Sequence, residues 1–175
     1  AYDMLVEEGL IVKIRGKGTF VKNMDDNSAL LFMQSRQFLG FSRNHKNHDI
    51  DTIVSQFEVK LPNDDVQARL KINENDWVYY FVRTRFKDGD AVVIEYTYMP
   101  MSLIPGVTED IVKESIYDYI ENELDLKIDN AHRIITARMP YDEEKVIGEL
   151  DENVPVVKVE QNTLLTNGQP FSYTH

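Results

Sequence analysis

Arg83 and Arg85 are two positions apart inside Trp77–Phe86, a run dense in aromatic and β-branched residues. Such a run reads as a central strand, and residues i and i+2 of a strand project from the same face. Two guanidiniums on one face offer planar forks of donors that match a phosphate or a carboxylate. The plainer reading is a pair of exposed arginines neutralised by some of the chain's many acids, and spacing alone favours it. Glu95 falls on the return strand, Ala91–Met99, after a turn at Lys87-Asp88-Gly89-Asp90. A carboxylate among Val92, Val93, Ile94 and Tyr96 needs a partner if the strand is half buried. Register decides whether it has one. A two- or four-residue turn sets Arg83 opposite Ile94 and sends Glu95 to the other face. A three-residue turn, Asp88-Gly89-Asp90, sets Arg83 opposite Glu95 and is the turn expected here.

Ser115 and Tyr117 begin a predicted helix, Ser115–Leu124, in which Ile116, Ile120 and Leu124 recur at helical spacing. Ser115 suits an N-cap, and the free N–H groups of a helix start favour anions. A plain cap and a core aromatic are the simpler roles for these two residues, and both are compatible with an anion nearby.

A different chemistry sits near the start. Residues Gly9–Lys22 read GLIVKIRGKGTFVK, with Lys13, Arg15, Lys17 and Lys22 and no acid, in a chain of formal net charge −11. LIVKIR and TFVK flank a turn containing Gly16 and Gly18, which predicts a β-hairpin. Lys13, Arg15 and Lys17 are placed to meet nucleic-acid phosphates, and Gly16 and Gly18 let the tip approach the backbone closely. An ordinary hairpin with surface lysines is the alternative. The acidic remainder is not expected to touch nucleic acid, since phosphates would repel it. His45 and His48 stand at a spacing that can bind metal on a helix. Their surroundings are polar and lack a third ligand, so a solvated loop is expected and no metal site.

These groups must be positioned by a small set of elements. After the hairpin, 23–28 (NMDDNS) reads as a linker. Asp51–Lys60 is a predicted strand, Asp64–Leu70 a short helix with acids in its first turn, and Ile128–Arg138 another strand. Asp142–Leu150 is a helix, Pro155–Leu165 a strand, and Asn167-Gly168 a tight turn into Phe171–Thr174. His132 and Arg133 read as ordinary strand residues. The helix–hairpin pattern of residues 66–97 recurs in 145–174, each copy ending Tyr-Thr. Two such units predict an α+β domain: a pseudo-symmetric antiparallel sheet with helices on one side and a cleft between the units. At 175 residues, 42% hydrophobic and 10% aromatic, the chain is long and apolar enough to bury a core. Zero cysteines exclude disulfides, thiolate metal ligands and cysteine nucleophiles, and fit a cytoplasmic protein. No stretch has the apolar length of a membrane span, and no signal peptide is visible. The chain reads as beginning inside a helix and ending inside a strand.

GLIVKIRGKGTFV, with its Gly16-Lys17-Gly18-Thr19 run, resembles the winged-helix hairpin of GntR-type bacterial transcription regulators. The remainder resembles the UTRA effector-sensing domain of their HutC subfamily. The matching pattern is Arg83-Thr84-Arg85, Asp88-Gly89, Glu95, Pro100, Ser115-Ile116-Tyr117, Gly168-Gln169-Pro170-Phe171 and Tyr173. The resemblance implies a chorismate-lyase-like fold without catalysis or cofactor. It implies a remnant of the DNA-binding head at 1–22, the linker at 23–28, and the sensing domain at 29–175, trimmed at its end. By the same resemblance Arg83, Arg85, Ser115 and Tyr117 clamp an anion, and Glu95 accepts ligand hydroxyls. Ser42 lies where the family has a loop that touches the anion, and Tyr173 lies on its closing strand. The implied function is a repressor, homodimeric, whose affinity for operator DNA is set allosterically by a small anionic effector, a phosphorylated sugar. A carboxylate metabolite as effector, or an enzyme of chorismate-lyase type, are the alternatives. The absence of an evident Ser-His-Asp set speaks against the enzyme.

Overall fold

The computed structural model describes residues 11–14, 18–21, 50–151 and 153–175. Strands β1 (Ile11–Ile14) and β2 (Gly18–Val21) form an antiparallel ladder from Ile11↔Val21 to Ile14↔Gly18, as the two apolar runs predict. Arg15, Gly16 and Lys17 lie outside the described residues, as do the expected linker, Ser42, His45 and His48.

Six further strands form one sheet. They are β3 (Ile50–Lys60), β4 (Val78–Lys87), β5 (Asp90–Pro100), β6 (Ile128–Arg138), β7 (Val156–Leu165) and β8 (Pro170–Thr174). Their order is β3-β4-β5-β8-β7-β6, with every pairing antiparallel. The order reads the same from either edge when the sequence repeat is overlaid on it. One three-stranded unit, β3-β4-β5, meets its copy, β6-β7-β8, along β5 and β8. That seam is short: Thr97↔Thr174 and Tyr98↔Tyr173 pair, and Tyr96 and His175 exchange backbone hydrogen bonds of 2.8 and 3.0 Å.

Each unit carries a helix between its first and second strands. In the first, α1 (Asp64–Leu70) is capped by Asn63, whose Oδ1 accepts the Val66 N–H at 2.9 Å, with Asp64 and Asp65 at its positive end. Val66 and Leu70, four apart on one helix face, are buried against Val78 and Tyr173. Two helices between the units were only half expected. Helical spacing predicts Ser115–Leu124 but no helix at α2 (Glu109–Lys113), which Thr108 caps by accepting the Ile111 N–H. It leads into α3 (Ile116–Asp118), which continues as a π-helical turn over Tyr119–Glu123. Val112, Ile116 and Ile120 from this segment are buried against Tyr79, Phe81, Met99 and Phe171.

Neighbouring residues of β4 therefore serve different clusters, Val78 with α1 and Tyr79 with α2 and α3. Adjacent strand residues point to opposite faces, so the helices cover both faces of the sheet. The expectation of helices on one side is corrected here. The cause is legible in β4 itself, which is buried at nearly every position, as a strand sandwiched on both faces must be.

The second unit's helix, α4 (Asp142–Ile147), is fixed by Glu144. The Glu144 carboxylate accepts two Arg138 N–H bonds at 2.7 Å each and the Tyr141 backbone N–H at 2.8 Å, and the side chain is 8% exposed. A carboxylate so enclosed is stable only because donors fill its lone pairs.

Candidate functional site

The strand pair β4–β5 carries the arginines. Its register sets Arg83 opposite Glu95 and Arg85 opposite Val93. The pairing is the one the three-residue turn was expected to give, but the turn is different. Lys87 pairs with Asp90, so the turn has two residues, Asp88 and Gly89, both with positive φ of 53° and 94°. This mirror-image turn matches the right-handed twist of the strands. The extra residue is Val92, a bulge between Phe86↔Ala91 and Arg85↔Val93. A two-residue turn plus one bulged residue moves the register as far as a three-residue turn does, so Glu95 still reaches the arginines' face.

Glu95 Oε2 accepts the Nε–H of Arg83 at 2.5 Å and that of Arg85 at 3.2 Å. Arg83 also donates to the carbonyl of Val112 at 2.9 Å, and Arg85 to Thr52 Oγ1 at 3.2 Å. Both guanidiniums are buried, with side chains 7% and 3% exposed. Burial alone pushes the Glu95 carboxyl up, but Arg83 and Arg85 outweigh it and hold it below the usual carboxylate range. Burial, reinforced by the neighbouring Arg83, lowers the Arg85 guanidinium.

Ser115 is the N-cap of α3, its Oγ accepting the Asp118 N–H at 3.3 Å. Tyr117 reaches across to the second unit. Its hydroxyl lies 3.3 Å from Thr163 Oγ1 and accepts from Gln161 Nε2 at 3.3 Å, while its ring meets Phe171 edge-on at 6.1 Å. Burial raises its phenol.

Arg83, Arg85, Glu95, Ser115 and Tyr117 line one cavity of about 680 Å³. It spans the two units and extends between β5 and β7, past the short β8. Tyr173 is not on its wall. It lies on the opposite face, where its hydroxyl donates to Glu160 at 3.0 Å and Arg69 covers its ring at 4.5 Å. Its neighbours Ser172 and Thr174 face the cavity instead, because alternate residues of β8 change sides.

Sequence reasoning passed over Arg133. It lines the cavity from β6, opposite Gln161, to whose Oε1 its Nε donates. One signal pointed there: in β6 Arg133 alternates onto the face of Ile135, another cavity residue. Among the described residues no cluster of three or more His, Asp or Glu side chains is placed to hold a metal ion. No helix among them is long and apolar enough to cross a membrane.

The buried carboxylates make acid stability a test of this geometry. Glu95 is held low by its arginines despite burial. Glu144 is held low chiefly by the Arg138 hydrogen bonds. Glu160 is pushed up by burial but held low by its Tyr173 and Lys158 contacts. A folded pKa below the unfolded value, 4.5 for glutamate, adds stability that is complete above that value and is lost as pH falls through the folded one. Melting temperature is expected to be flat from pH 7 to about 5 and to fall steadily below about 4.5. A curve that stays level to pH 3 contradicts the pairing described.

The UTRA domain family matches residues 45–175. Over 175 residues the chain is 38% identical to the HTH-type transcriptional regulator GmuR of Bacillus subtilis, covering 99% of this chain and 73% of the relative. The chain belongs to the UTRA family of GntR-type transcriptional regulators. Two solved structures share its fold. The transcriptional regulator YydK of Bacillus subtilis superposes with a TM-score of 0.72 at 26% identity, over 99% of this chain and 74% of that one. The effector-binding domain of the Bacillus subtilis trehalose repressor TreR gives 0.63 at 31% identity, over 71% and 87%. The six-stranded sheet described above is thus the UTRA sheet, and the cavity lies in an effector-binding type of domain.

Proposed function

We propose that this UTRA domain binds a phosphorylated sugar in the cavity between its two units, and that occupancy controls the operator affinity of a dimeric repressor. One observation carries the reading. In a chain of formal net charge −11, the cavity wall gathers Arg83, Arg85 and Arg133 against Glu95, while Arg138 and Lys158, which also line it, are paired with Glu144 and Glu160. Such a reversal of local charge concentrates an anion that the rest of the surface repels. Arg83 and Arg85 take the anionic group, with Ser115 at the start of α3 and the Tyr117 hydroxyl beside them. The sugar hydroxyls meet Glu95, Gln161, Ser172 and Thr174, a mixed set of donors and acceptors suited to a polyol. The resemblance to a trehalose repressor's effector domain supports a carbohydrate-linked signal. No catalytic step is assigned to the site.

The division into a head remnant at 1–22, a linker at 23–28 and the sensor beyond it completes the reading. In this reading Lys13, Arg15, Gly16, Lys17 and Gly18 are the residues that would touch the DNA backbone. A ligand that binds one arrangement of the two units more tightly shifts the linker, and a coupling of about 1–3 kcal/mol suffices to change DNA affinity severalfold to a hundredfold.

Isothermal titration with hexose and disaccharide 6-phosphates, the parent sugars and small organic acids tests the ligand class. A sugar phosphate is expected to bind about 100-fold or more tighter than its parent sugar, since two charge-assisted contacts are lost without the phosphate. Equal binding of the parent sugar overturns the anion, and tighter binding of an organic acid replaces phosphate by carboxylate.

A further inference from the structure

We propose that Glu95 is an internal competitor for the anion site, and that this competition makes the site answer to anions that carry hydroxyls and resist bare inorganic ones. The inference rests on reading the cavity as an anionic-effector site. A single oxygen, Glu95 Oε2, takes the Nε–H of both arginines. Each arginine is also tethered elsewhere, Arg83 to the Val112 carbonyl and Arg85 to Thr52 Oγ1, so the pair cannot swing to a new position without breaking those bonds. An anion that reaches for the same two Nε–H donors meets a carboxylate of its own sign already there. Like charges within a few ångströms in a buried site repel strongly.

The displaced carboxylate has few places to go. The Glu95 side chain is only 18% exposed, so it needs new donors once the arginines turn to the ligand. Sulfate has no hydrogen to give. A polyol has several, and its hydroxyls donate to Glu95 while its anionic group takes the arginines. The cost of moving Glu95 is then offset only by a ligand that carries both parts. Glu95 thereby links recognition of the anion to recognition of the sugar. A regulator built this way ignores inorganic phosphate, which offers the charge without the hydroxyl array.

The test is sulfate titration on the whole chain, for the unmodified protein and for Glu95→Gln, Glu95→Asp and Arg83→Ala. Sulfate keeps two charges at neutral pH and donates no hydrogen bond. Glu95→Gln is expected to bind sulfate about tenfold tighter than the unmodified chain, as a like charge is removed. Glu95→Asp, which draws the oxygen back from the Nε atoms, is expected to gain less. Glucose 6-phosphate is expected to gain less than sulfate from Glu95→Gln, so the preference for it over sulfate narrows. If Glu95→Gln leaves sulfate binding equal or weaker while Arg83→Ala lowers it, the competition is refuted and the anion site stands. If Arg83→Ala also changes nothing, the anion site itself is refuted. Should Glu95→Gln fail to fold, sulfate must raise the melting temperature of Glu95→Asp more than that of the unmodified chain. An equal rise overturns the proposal.

Discussion

Arg83→Ala is expected to weaken binding of the anionic effector by about 2–4 kcal/mol, roughly 30- to 1000-fold, as removal of one member of a buried, hydrogen-bonded charge set does. The guanidinium joins β5 to α2 by holding Glu95 at 2.5 Å and the Val112 carbonyl at 2.9 Å. Its loss therefore removes both an anion donor and the tie that sets α3 over the cavity. Arg83→Lys separates these roles. Lysine keeps the charge, but its single ammonium does not reproduce the planar fork that reaches Glu95 and Val112 together. Affinity should fall in Arg83→Lys as well, by less than in Arg83→Ala. Calorimetry on both, with melting curves as a fold check, decides the matter. Unchanged affinity in a folded Arg83→Ala protein removes the arginine from the site.

Phe81→Ala is expected to cost about 3–5 kcal/mol of folding stability, measured by urea denaturation. Phe81 is 0% exposed and lies in the cluster with Met99, Ile104 and Phe171. Beyond the transfer term, alanine leaves a hole where the strands and the α2–α3 segment meet, and close-packed neighbours refill such a hole only in part. The ring also lies 5.5 Å beneath the Arg83 guanidinium, so the core and the site share a wall. A loss below about 1.5 kcal/mol implies that the segment carrying Val112 and Ile116 does not pack on β4 as described.

The strands were legible because β-branched and aromatic runs are bounded by clear turn residues. β6 runs over Ile128–Arg138 as its sequence predicts, and α1 over Asp64–Leu70. The repeat foretold a pseudo-symmetric antiparallel sheet but not its strand order, which joins the two units by their last strands. Hairpin parity was legible too, but not its mechanism. That Arg83 faces Glu95 requires one residue beyond a two-residue turn. Nothing in Ala91-Val92-Val93 says whether that residue sits in the turn or in a bulge, because valine suits either neighbour of a bulge. Helix placement failed for a related reason. Burial on both faces shows in the unbroken apolar character of β4, but the partner on each face is set by distant segments. Arg133 was missed because a lone arginine on a strand carries no local mark. Only its register opposite Gln161 and its alternation with Ile135 bring it inward. Tyr173 was placed in the site by its neighbourhood in sequence, yet on a strand a residue's immediate neighbours face the other way.

The seam between β5 and β8 has a mechanical meaning. Ladders ten or eleven residues long stiffen β4 against β5 and β6 against β7, whereas β8 has five residues and meets β5 over a few rungs. A plate with a narrow waist bends at the waist. The rings of Tyr98 on Tyr173 and of Tyr96 on His175, stacked at 6.1 and 5.0 Å, lie across that line and slide more readily than interlocked side chains part. The cavity sits over the same line, with Arg83 and Glu95 on one leaf and Arg133 and Gln161 on the other. Under the proposed function, a ligand held by both leaves would fix the dihedral angle between them, and its length would become the quantity sensed.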